Sequence, residues 1–148
     1  MRILIILLSI LCFSTFKAQV LKEAQVPAVI RNKVKEGYPS IKVLEWKKAG
    51  SRYKVFYVIS DSIRATLIYE QSGMFIESEK RIGFQEIPIS IQKQVVRKMP
   101  GKAISDAFRV VTATGGMSYK LIIDGKEQYF DPQGNLLPGG RDIHSDGH

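Results

Sequence analysis

The stretch VPAVIRNKVKEGYP, residues 26–39, decides how the rest of the chain reads, because its pattern returns in IPISIQKQVVRKMP at residues 87–100. Pro27 and Pro39 have counterparts in Pro88 and Pro100, an offset of 61 residues. Val26, Ile30, Val34 and Tyr38 recur as Ile87, Ile91, Val95 and Met99 at the same offset. Steps of four residues put each set on a single helical stripe. Arg31, Lys33, Lys35 and Glu36 fill the wet side of the first helix, and Gln92, Lys93, Arg97 and Lys98 that of the second. Pro27 and Pro88 suit a first helical turn, where no amide hydrogen is needed. The residue before a proline is pushed out of the helical region, so Pro39 and Pro100 predict where both helices stop.

Beyond each closing proline the period changes from about four to two. Ile41–Lys48, Arg52–Ile59, Ile63–Tyr69 and Met74–Ile82 read as strands, followed in the second half by Ala103–Thr112, Ser118–Ile123, Lys126–Phe130 and Asn135–Leu137. These runs are rich in β-branched and aromatic residues, which suit a pleated, half-buried surface. Asp124-Gly125 is a two-residue hairpin signal. Glu70-Gln71-Ser72-Gly73 and Asp131-Pro132-Gln133-Gly134 supply matching turns, and Thr114-Gly115-Gly116 carries most of a five-residue insertion. Short connections favour antiparallel neighbours. The expected fold class is α+β: two tandem helix-plus-four-antiparallel-strand repeats, residues 19–83 and 84–138, with helices packed on one face of the sheet. A unit of this size alone buries too little surface to be stable, so the two are expected to fold as one body.

The ends read differently. Arg2, the apolar run Ile3 to Phe13 and the close at Lys17-Ala18-Gln19 form the pattern of a secretory signal peptide, with cleavage expected after Ala18. That run is shorter than the roughly 20 residues needed to span a bilayer, so no stable membrane anchor is expected. Cys12, the one cysteine, is preceded by Leu11 where a lipoprotein signal needs a small residue, and is read as part of the discarded leader. Export implies a periplasmic or extracellular location. Removing Arg2 and Lys17 from the 22 basic residues leaves 20 against 14 acidic ones, a net charge of +6. The charges are dispersed, which reads as solubility and not as a nucleic-acid footprint.

The helix opened by Val26-Pro27 and closed by Tyr38-Pro39, then Trp46, Tyr53-Lys54-Val55 and Glu70-Gln71-Ser72-Gly73, together resemble the bacterial beta-lactamase-inhibitor-like, PepSY-like family. The resemblance covers roughly Val26 to Leu137. It implies an α+β fold with helices on one face of an antiparallel sheet, and an exported setting. PepSY-type modules are associated with binding or restraining peptidases, and the beta-lactamase inhibitor protein uses a similar tandem scaffold to hold an enzyme on its sheet. The second half departs from the pattern, with Met99 in place of the tyrosine and Ala107-Phe108 where the tryptophan would stand.

Catalytic equipment is sparse. The two histidines, His144 and His148, lie in the Gly-rich tail 139–148, which reads as flexible. With Asp142 they offer alternating metal-ligand types, yet little apolar content ties the segment down. Asp131-Pro132-Gln133-Gly134-Asn135 lacks the carboxylates of a calcium loop and reads as a turn. Glu77 and Glu79 share one strand face, as on a solvated edge strand. No histidine lies inside the predicted fold, which excludes Ser-His-Asp and Cys-His arrangements there. The reading is a non-enzymatic module with no cofactor and no metal.

The candidate binding surface is the sheet face away from the helices. Tyr53, Val55, Tyr57 and Ile59 share one side, and Lys54, Phe56 and Val58 the other. Trp46, Lys54, Phe56, Arg64 and Lys120 are the candidate binding residues, since aromatic and cationic side chains dominate interface hot spots. Tyr57 and Tyr69 are read as core. Trp46 is either an anchor on the open face or core beneath the helices. The expected partner is a protein, such as an envelope or secreted hydrolase. A small-ligand or metal carrier is the alternative.

Overall fold

The computed structural model describes residues 18–60 and 63–138. The leader with Cys12 and the histidine-bearing tail fall outside the described residues. The elements run β1 (Gln19–Leu21), α1 (Ala28–Gly37), β2 (Lys42–Ala49), β3 (Arg52–Ser60), β4 (Ile63–Glu70), β5 (Phe75–Ile82), α2 (Ile89–Lys98), β6 (Ile104–Thr112), β7 (Met117–Ile123) and β8 (Lys126–Phe130), with a single 3₁₀ turn before each helix. All eight strands join one antiparallel sheet in chain order. The α+β class and the antiparallel sheet are as the sequence predicts.

Both prolines sit one residue outside the helices. Pro27 and Pro88 are extended (ψ 134° and 137°), and their carbonyls accept the first helical bonds, from Ile30 and Arg31 and from Ile91 and Gln92. The last bonds run from the Tyr38 amide to the Val34 carbonyl and from Met99 to Val95, immediately before Pro39 and Pro100.

Two strand expectations change. Asn135–Leu137 forms no strand of the sheet; Leu136 makes an isolated antiparallel bridge with Phe130. Conversely, Gln19–Leu21 forms β1, which pairs with β2 as Gln19↔Lys48 and Leu21↔Trp46. Three residues are too few to show a period. The same pairing occurs 61 residues on, where Lys80 and Ile82 of β5 meet Arg109 and Ala107 of β6.

Other contacts recur at that spacing. Lys22 N–H donates to Gln25 Oε1 (2.8 Å) and Gly83 N–H to Glu86 Oε1 (3.0 Å). Arg31 Nε donates to the Val26 carbonyl, and Gln92 Nε2 to that of Ile87. Gly73 (φ 85°) lies against Val29, and Gly134 (φ 94°) against Ser90. A Cβ at Gly134 would fall 2.8 Å from the Ser90 carbonyl oxygen, whereas at Gly73 its nearest neighbours are side-chain atoms of the exposed Val29. Gly134→Ala therefore combines positive-φ strain with a backbone clash and should cost about 2 kcal/mol or more. Gly73→Ala should cost less, because a side chain can give way. Urea unfolding of both variants checks this, and equal midpoints would contradict it.

The core lies on one face. Ile30 and Val34 of α1 pack on Trp46, Tyr53, Val55, Tyr57, Ala65, Leu67 and Tyr69. Ile91 and Val95 of α2 pack on Ala107, Tyr119, Leu121, Ile123 and Phe130. Trp46, Val55, Leu67 and Ser78 are successive cross-strand partners, and Ile82↔Ala107 continues the Ser78 side into β6, so both clusters share a side of the sheet. Tyr57 and Tyr69 are core, as read. Burial, with the neighbouring Tyr38 and Tyr57 rings, pushes the Tyr69 phenol up to about 12.

Candidate functional site

The opposite face carries neither helix. Its residues follow from the register: Lys47, Lys54, Ile68, Glu77 and Thr112 form one row across the strands. Glu45, Phe56, Thr66, Glu79, Val110 and Ser118 form the next. Arg81, Phe108, Lys120 and Tyr129 form a third. Four of the five candidate residues, Lys54, Phe56, Arg64 and Lys120, thus share this face. Trp46 does not. It is 7% exposed in the cluster beneath α1, which corrects the expectation of an aromatic anchor on the open side.

The middle of this face is dry and charged. Lys120 Nζ donates to Glu79 Oε2 at 2.6 Å, with the two residues 6% and 5% exposed. The ammonium also sits 4.5 Å from the centre of the Phe108 ring, a cation–π contact that is stronger when desolvated. Among the described residues Glu79 Oε1 and Ser118 Oγ are buried without a hydrogen-bond partner. Glu77 is buried as well. The solvated edge strand expected for Glu77 and Glu79 is therefore corrected: chain-order topology makes β5 a central strand, walled in by β4 and β6. Lys120, expected on the surface, is a buried member of this pair.

The accessible part lies beside it. A cleft of about 400 Å³ is lined by Leu44, Glu45, Lys47, Phe56, Arg64, Thr66, Arg81, Asp106 and Phe108, with parts of Tyr57 and Ala65. Lys47 Nζ stands 2.9 Å from Glu45 and 4.9 Å from the Phe56 ring centre. Arg81 donates to Asp106 at 2.6 Å. Arg64 is exposed and has no carboxylate partner among the described residues. The cleft thus presents the Arg64 guanidinium, without a carboxylate partner among the described residues, in a lining shared with Phe56 and Phe108. Arg81, Asp106 and Phe108 were not singled out from sequence; Arg81 was legible as the next alternate residue after Glu77 and Glu79.

Among the described residues no group of three His, Cys, Asp or Glu side chains could hold a metal. Asp131 is a turn residue. Partial burial would raise its carboxyl pKa, but hydrogen bonds from the Asn135 side chain and backbone, with the Gln133 and Gly134 amides, outweigh it and lower the pKa.

No protein-family model and no curated protein matches the chain. Solved structures do. A DUF2874 family protein of Bacteroides uniformis superposes with a TM-score of 0.65 at 13% identity, over 75% of this chain and 86% of that one. A Bacteroides eggerthii protein described as periplasmic gives 0.65 at 13% identity, over 76% and 86%. A BLIP-like protein of Bacteroides fragilis gives 0.58 at 16%, over 79% and 90%. The chain shares their fold. That likeness supports the beta-lactamase-inhibitor-like side of the sequence resemblance, while the PepSY side rests on the sequence motifs.

Proposed function

We propose that the chain is an exported, non-enzymatic binding module that holds a protein partner against the helix-free face of its sheet, around the cleft between Phe56 and Phe108. The carrying observation is Arg64, an exposed cation with no carboxylate partner among the described residues, in a cleft that Phe56 and Phe108 also line. Aromatic and arginine side chains in partly desolvated pockets supply most interface energy. The buried Glu79–Lys120 pair beside the cleft offers no charge of its own to a ligand. The leader and the periplasmic description of one structural neighbour support a periplasmic location. The resemblance of the sequence motifs to the beta-lactamase-inhibitor-like family motivates a hydrolase as the partner class. We further read the two halves as copies of one unit, supported by the helix ends, capping bonds and glycine contacts that recur 61 residues apart.

The test uses immobilised protein against an envelope extract. Wild type should retain a defined protein, and Phe56→Ala with Arg64→Ala should lose it at least about tenfold, since two hot-spot truncations cost more than 1.4 kcal/mol together. The melting curve of that variant should stay near wild type. Retention unchanged by the substitutions would sink the reading. A cleft of this volume also admits a small ligand. Calorimetric heats from a small molecule, lost in the same variant while no protein is retained, would favour the carrier alternative.

A further inference from the structure

The outer side of α2 differs from that of α1 at matched positions. Phe84, Ile89 and Val96 are 58%, 64% and 72% exposed. They border one mostly apolar groove of about 580 Å³, together with Lys93, Arg97 and Lys102. Sixty-one residues earlier the corresponding positions carry Glu23, Ala28 and Lys35, and there Lys35 pairs with Glu23 across 3.5 Å. The first half thus shows what this fold needs at these places, an ordinary solvated surface. The apolar side chains on α2 are not required by packing.

Their setting is cationic. Lys93 and Arg97 lie exposed beside these residues on the same helix, and neither has a carboxylate partner among the described residues. Only Lys102 is paired, with Asp124. Pairing this face with a second copy about a two-fold axis would bring like charges together, which is unfavourable. An anionic bilayer complements it: apolar side chains enter the headgroup–acyl boundary while flanking cations meet lipid phosphates. No described helix is long and apolar enough to cross a membrane.

We propose that the α2 face is a reversible docking surface for an anionic lipid bilayer, with Phe84, Ile89 and Val96 inserting and Lys93 and Arg97 binding phosphate. It uses a different part of the molecule from the sheet-face cleft and stands independently of that reading.

The experiment is cosedimentation of the protein with phosphatidylcholine vesicles, with and without phosphatidylglycerol. Wild type should bind only the phosphatidylglycerol-containing vesicles and be released by salt. The triple variant Phe84→Glu, Ile89→Ala, Val96→Lys gives α2 the residues that α1 already carries, leaves net charge unchanged and should fold. It should bind about tenfold less or weaker still. Lys93→Gln with Arg97→Gln should lose binding comparably. The proposal is overturned if wild type ignores anionic vesicles, if the triple variant binds as well as wild type, or if the same substitutions instead dissociate a dimer in sedimentation.

Discussion

Lys120→Met should destabilise the fold by about 3–5 kcal/mol, the usual cost of leaving one member of a buried ion pair behind. Methionine keeps an unbranched stem against Phe108, so lost packing contributes little. What remains is the Glu79 carboxylate, 5% exposed, with Oε1 already lacking a hydrogen-bond partner among the described residues and Oε2 now stripped of its own. The double variant Glu79→Met, Lys120→Met should recover most of that loss, because two apolar side chains of similar volume remove both desolvation costs. Denaturant midpoints of the two single variants and the double close the cycle. A Lys120→Met midpoint within about 0.5 kcal/mol of wild type would mean that water reaches Glu79 and that this face is looser than its register implies.

The pair also shows where sequence reading stops. The helices were legible to within a residue, because four-residue steps bounded by prolines leave one solution. Strands β2 to β8 were legible from their period. Which strands become central depends on long-range order, and the alternation of Glu77 and Glu79 is the same on an edge strand as in mid-sheet. The place of β5 between β4 and β6 takes both carboxylates off a solvated edge and buries them, Glu79 against Lys120. β1 gave no signal because three residues beside a leader have no period of their own. The sharing of one face by Lys54, Phe56 and Lys120 follows from pairing register. Residue type alone marks Arg64 in the sequence, and its sharing of a cleft with Phe56 and Phe108 depends on the tertiary arrangement.

The most consequential reassignment is Trp46, and it yields the other large effect. Trp46→Ala should cost about 3–5 kcal/mol, the range for deleting a large buried aromatic ring. The side chain lies beneath α1 between its cross-strand partners Leu21 and Val55, in the cluster that includes Ile30 and Val34. Ala107 occupies the matching position in the second half and is itself buried, so α2 seats on its strands without a large ring there. The first half has no such accommodation, and truncation leaves a cavity under α1. Trp46→Phe should be far milder, because it keeps most of the packed volume. Any binding by Trp46→Ala should fall only with the folded fraction, whereas Phe56→Ala should weaken binding with a change in stability of about 1 kcal/mol or less. Thermal or urea unfolding beside a binding assay separates the two. If Trp46→Ala unfolds like wild type yet loses its partner, the ring belongs to the interface and the division of labour between the two sheet faces is reversed.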